Sequence, residues 1–139
     1  MTEEQNTAEF GDTRLDPNAF RDADEHINPM WLERLRAYLD AAEADHIADL
    51  MAPLHAADAG DLLEALNAEE RLALVRSLGD RFDYEALTEV DDSIRNELLE
   101  ELPTADVARG VAALDNDDAV TILEDIDDAE REEILAQMP

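Results

Sequence analysis

From Leu54 to Met138 the chain repeats an apolar pattern every twelve residues, and no other feature constrains its fold as much. Leu54, Leu66, Leu78, Val90, Leu102, Leu114, Ile126 and Met138 stand at even steps of twelve. Four and three residues before these, from Leu66 onward, come Leu62 and Leu63, Leu74 and Val75, Ala86 and Leu87, Leu98 and Leu99, Gly110 and Val111, Ile122 and Leu123, and Ile134 and Leu135. Gly110 is the single position of this grid that is not apolar, in a chain of 45% apolar composition. Chance would fill fewer than half of the grid. Apolar residues at i, i+1 and i+4 make one stripe of an α-helix and do not alternate as a strand would. A short fixed period of this regularity marks a helical repeat.

One period holds a helix of about eight or nine residues and a link of about three or four. The residue after each clock position from Leu66 to Ile126 is Asn67, Gly79, Asp91, Pro103, Asp115 or Asp127, all turn or cap formers. Asn67 and Glu70 have the spacing of a capping box, and Asp127 with Glu130 repeats it. Helices this short do not persist alone in water. Each must bury its stripe against the next, which predicts an all-α solenoid, a continuous stack of short antiparallel helices. Gly110 is then either a close helix–helix contact or a weak spot costing about 1 kcal/mol relative to alanine.

Residues 1–28 lack the periodicity and are rich in Asp, Glu, Asn and Thr, the composition of a mobile acidic tail. Order is expected from Asn28-Pro29, an N-cap followed by proline at the first helical position, so that the domain occupies 29–139. Trp31, Leu32, Leu35, Tyr38 and Leu39 mark a first, longer helix. Ile47, Leu50, Met51 and Leu54 mark a second, closed by Pro53. A solenoid ends in a capping repeat with a polar outer face; none is visible at Met138-Pro139, which predicts a fragment of a longer chain. The absence of cysteine excludes disulfides and thiolate metal sites and fits a cytosolic address. No apolar run reaches the length of a bilayer span, and the acidic, polar start is not a secretory signal.

Thirty-eight acidic residues face ten arginines, with no lysine, for a net charge of -28. No basic stripe is available to neutralise phosphates, which excludes nucleic acid as a partner, and anionic membrane surfaces would repel the chain. The complements of such a surface are a basic protein face or metal cations. Two plainer readings stand beside these. Acids in first helical turns are favoured by the helix dipole by about 0.3–1 kcal/mol, and a salt-adapted composition is also acidic. The densest acidic segment runs through Asp115, Asp117, Asp118, Glu124, Asp125, Asp127 and Asp128. An EF-hand loop needs glycine at its sixth position and glutamate at its twelfth; counted from Asp115 these are Val120 and Ile126, which rules it out. Carboxylates on helices can still hold a hard cation such as Mg2+, weakly on an isolated surface and more tightly where a second acidic surface faces them.

His26, His46 and His55 are scattered and form no HExxH pattern, so no zinc site is expected. No glycine-rich phosphate loop exists, and Ser77 and Ser93 lack the context of a nucleophile. Paired carboxylates are too frequent here to signal catalysis. A protein that is not an enzyme is expected.

The segments LLEALNAEERLALVRSL, LLEELPTADVARGVAAL and LDNDDAVTILEDIDDAEREEILAQMP together resemble the amino-terminal cytosolic domain of MgtE-type magnesium transporters, over roughly residues 30–139. The resemblance implies a right-handed superhelix of short helices on the cytoplasmic face of the bacterial inner membrane, without direct membrane contact of its own. It further implies a dimeric polypeptide that continues into paired CBS domains and a transmembrane pore. At high intracellular Mg2+, ions between the acidic face and the CBS domains would close that pore. Of the bridging acids in that family, one maps to Glu85 in DYEALTEV and another to Asp117 in NDDAVTIL. The companion one helical turn after Asp117 is usually Asp; here it is Thr121, with Asp118 and Glu124 as the nearest acids. Two other readings remain open at this point. One is a protein-docking scaffold like the short-helix modules of flagellar motor switch proteins of the FliG type. The other is an acidic solenoid with no cation role.

Overall fold

The computed structural model describes residues 19–124 and 126–138. These are all-helical, without strands. Eight α-helices follow in order: α1 (Pro29–Ala41), α2 (Ala44–Met51), α3 (Ala56–Ala65), α4 (Ala68–Leu78), α5 (Asp92–Glu101), α6 (Thr104–Ala112), α7 (Asn116–Leu123) and α8 (Asp128–Gln137). Two 3-10 helices, η1 (Gly79–Arg81) and η2 (Tyr84–Glu89), lie between α4 and α5.

Local chemistry sets the helix ends. Asn28 Oδ1 accepts the Met30 amide at 3.0 Å, and Pro29 occupies the first turn of α1. Ala42, at φ 56°, closes α1 in the left-handed region, and α2 stops before Pro53. Asn67 and Glu70 form a reciprocal capping box on α4, at 2.8 and 3.0 Å. The Asn67 amide, and after it the Arg36 guanidinium reaching over from α1 at 2.9 Å, hold the Glu70 carboxylate below its ordinary range against the opposing effect of burial. Asp91 and Asp127 cap α5 and α8 by accepting one backbone amide each, that of Ser93 and that of Glu130.

The helices pack mainly on neighbours close in sequence: α1 on α2, both on α4, α3 on η2, α7 on η2, and α6 on α8. One apolar cluster runs through them, with Leu62, Leu63, Leu74, Ala86, Leu87, Val107 and Ile122 fully buried. Leu114 and Met138 are only partly buried, and Leu135 stands 49% exposed on α8.

Three arginines bind carbonyls at helix C-termini, one of them Arg76, which donates to the Glu101 carbonyl of α5 at 3.4 Å. Arg71 of α4 donates to the Leu63 and Leu66 carbonyls of the preceding helix end, at 3.1 and 2.7 Å. Arg131 of α8 donates to the carbonyls of Leu123, Glu124 and Ile126, at 3.0, 3.2 and 3.1 Å. Each thereby satisfies acceptors that a helix end leaves without intrahelical partners.

The unit from Gly79 to Val90 departs from the expected α-helix. Gly79 ends α4 at φ +55°. Phe82 and Tyr84 are both buried, their rings edge-to-face with centroids 5.1 Å apart. Burying two side chains spaced by two residues requires extended backbone between them; Phe82 and Asp83 adopt ψ values of 130° and 105°. Only six residues remain for η2, yet Ala86 and Leu87, and Val90 behind it, are buried. Gly110 resolves as a close contact, because a Cβ there would strike the Tyr84 ring.

Order also begins earlier than Asn28. Residues 19–28 fold back on themselves through a bridge between Arg21 and Ile27. Phe20 sets its ring edge-to-face with Trp31 at 4.7 Å, and Arg21 binds Asp58 and Asp61 of α3, each at 2.7 Å. Asn28, 2% exposed, donates its amide to the Ala19 carbonyl at 3.0 Å. These contacts reach across the chain and leave no local periodicity, so the acidic composition of residues 1–28 hides them. The rest of the tail expected there, residues 1–18, lies outside the described residues.

Candidate functional site

The acids singled out by the sequence stand on two elements packed against each other, η2 and α7. Asp83 caps η2 by accepting the Glu85 amide at 3.0 Å, which fixes the backbone from which Glu85 projects. Asp115 occupies the N-cap position of α7, and Asp117 and Asp118 lie in its first turn.

Like charges crowd Glu85. The neighbouring Asp83 raises its carboxyl pKa most, followed by partial loss of water, then by Asp118 and Asp115 from α7, and by Glu89 from its own element. The packing of α7 on η2 thus brings Glu85 and Asp118 into one field. Asp117 is exposed and is not among the charges acting on Glu85. The Thr121 hydroxyl donates to the Asp117 backbone carbonyl at 3.0 Å, so it is turned onto its own helix. Asp83, Asp115 and Glu89 complete the cluster although the sequence did not mark them for this site. The signal for the first two was present, since both are cap residues, and a cap aspartate projects at a helix N-terminus.

This face has the chemistry of a hard-cation surface: several carboxylates, no soft ligand, and mutual repulsion that a cation would relieve. The ligand atoms of Glu85, Asp117 and Asp118 do not converge on one point. Among the described residues, three such groups lie within 4.8 Å of one another only at Asp22, Asp24 and His26.

Beside this face lies a cavity of about 220 Å3, lined in part by Asp80, Tyr84, Asp106, Arg109 and Gly110. Arg109 binds both Asp80, at 3.1 Å, and Asp106, so its charge is compensated within the fold. Burial, reinforced by Asp106, pushes the Tyr84 phenol up to about 12.

The Glu85 shift has a definite sign in solution. The folded state holds this proton more tightly than the unfolded chain does. The contribution to stability is therefore unfavourable once pH exceeds the folded pKa, and it is relieved as pH falls toward the ordinary carboxylate value. Asp118→Asn should lower the Glu85 pKa and weaken this pH dependence, read by carboxyl-carbon NMR titration. An unchanged Glu85 titration would separate the two residues.

Among the described residues no helix is long and apolar enough to cross a membrane. In comparisons with known proteins, the family model of the MgtE intracellular N domain matches residues 54–139. No curated protein and no solved structure matches. The matched region includes η2, α7 and every acid of the cluster, and the family is a regulatory one, not a catalytic one. By this match over more than half its length, the chain belongs to the family of MgtE intracellular N domains, regulatory domains of magnesium transporters.

Proposed function

We propose that residues 29–139 form the Mg2+-sensing domain of a magnesium transporter or channel. In this reading Mg2+ bridges the acidic face to the CBS domains of the same polypeptide and closes the pore at high intracellular Mg2+. The observation that carries it is the packing of α7 on η2, which gathers Asp118 and Asp115 with Asp83 around Glu85. Two facing acidic surfaces repel when bare, so the docked arrangement gains population only as a divalent cation replaces repulsion with bridging. Glu85 and Asp118 are the ligands in this proposal, and Asp117 contributes from the same helix turn. Thr121, with its hydroxyl committed to the Asp117 carbonyl, supplies no carboxylate. Bound waters and the facing domain fill the remaining positions, as the hydration of Mg2+ favours. An isolated domain whose acids do not converge binds Mg2+ weakly.

The wider architecture proposed is a right-handed superhelix on a twelve-residue unit. Helix starts at Ala56, Ala68, Asp92, Thr104, Asn116 and Asp128 support that unit. The whole polypeptide is proposed to be a homodimer, with this domain at the cytoplasmic face of the bacterial inner membrane. Family membership favours this reading over a docking scaffold of the flagellar motor switch type.

The test is calorimetric titration of Mg2+ into the chain alone and into the chain joined to its CBS domains, with K+ matched for ionic strength. Weak binding alone and tight binding with the CBS domains are expected. Glu85→Gln and Asp118→Asn should each weaken the tight site by about tenfold, equivalent to about 1.4 kcal/mol. Equal binding with and without the CBS domains, or an equal response to K+, would sink the proposal.

A further inference from the structure

We infer that the groove between α4 and α5 docks an amphipathic helical segment of a protein partner, one apolar stripe flanked by Lys or Arg. Ala68, Leu72 and Leu98 form the floor of this groove, and Glu69, Glu97 and Glu101 form its rim, around a cavity of about 250 Å3. Ala68 and Leu72 are one helical turn apart on α4; Glu97 and Glu101 are one turn apart on α5. Two packed helices with an apolar seam receive an amphipathic helix by its anchoring side chains. The volume falls below the roughly 300–1,000 Å3 of small-molecule pockets and suits an anchoring side chain.

Charge identifies the occupant. Glu97 is held by Arg71 at 3.3 Å, whereas the Glu69 and Glu101 carboxylates carry no ion pair among the described residues; Arg76 reaches the Glu101 backbone carbonyl, at 3.4 Å, and not its carboxylate. Two carboxylates therefore border the apolar seam without a side-chain ion pair, and a cationic segment complements them. A second copy of this chain does not fit, since each carries a net charge of -28. The chain's own residues 1–18 do not fit either, with five acids against Arg14 alone. The site uses neither Glu85 nor Asp118, and its occupancy requires no Mg2+.

The experiment titrates two synthetic helical peptides of equal charge into the isotope-labelled chain without divalent cations. One presents a leucine stripe flanked by arginines; the other has serine in place of leucine. The leucine peptide is expected to bind at least about tenfold tighter and to shift the NMR signals of Ala68, Leu72 and Leu98. Leu72→Gln should abolish that preference. Glu69→Gln with Glu101→Gln, both on the surface, should weaken the leucine peptide severalfold. Equal affinity of the two peptides, or signal shifts centred elsewhere, would overturn the inference whatever the variants do.

Discussion

Leu87→Ala is expected to cost about 2–5 kcal/mol of folding stability, the range for emptying a fully buried leucine site. Leu87 is 0% exposed and lies on η2, the short element that α3 and α7 both pack against. Six residues of 3-10 helix have little stability of their own, so side-chain burial holds η2 in place. The loss should appear as a lower urea midpoint. A second readout should move with it: the Glu85 pKa should fall toward the ordinary carboxylate value as η2 loosens away from Asp118 and Asp115. Leu135→Ala supplies the control, because Leu135 is half-exposed at 49%; exposed substitutions cost within about 0.5 kcal/mol. Equal effects at the two positions would mean that η2 is not held by the core.

Gly110→Ala should also destabilise, against the direction of helix propensity. Alanine gains about 1 kcal/mol over glycine within a helix. Here its methyl would collide with the Tyr84 ring, which is buried and already packed edge-to-face on Phe82. Overpacking of this kind costs about 1–3 kcal/mol, and a confined ring has few ways to relax. The net change should be a loss, measured by chemical denaturation. In a Tyr84→Leu background the sign should reverse, because the obstruction is gone and the propensity gain remains. Coupling of about 0.5–3 kcal/mol between the two positions marks a direct contact. Additive effects would show that the space at Gly110 does not depend on Tyr84.

Legibility from sequence followed the range of the interactions. Asn28, Asn67 and Asp127 could be read as caps because each satisfies backbone groups two or three residues away. The buried stripes could be read because helix geometry turns a spacing into a face. In sequence the 79–90 unit looks like another α-helix because its grid residues fit the period. The opposing signal, Phe82 and Tyr84 two residues apart, is a strand-like spacing that a helical template ignores. The roles of Arg71 and Arg131 were invisible because their partners are carbonyls at the ends of other helices, and carbonyls carry no sequence signature. The same limit holds for the acidic face. A family resemblance points to Glu85 and Asp117, with Asp118 as the neighbouring acid. That Asp118 and Asp115 act on Glu85 depends on how α7 packs on η2, which no spacing along the chain reveals.

The brevity of η2 has a consequence for motion. Regions of a folded protein open at different free energies, and short elements with poor backbone hydrogen bonds lie at the low end. The backbone ladder of Tyr84–Glu89 is therefore weak, and burial of Tyr84, Ala86 and Leu87 is what keeps the segment closed. Glu85 travels with that segment, so whatever fastens its carboxylate lengthens the closed lifetime of a single small turn. Amide hydrogen exchange across six residues then becomes a local clock for the state of the whole acidic face.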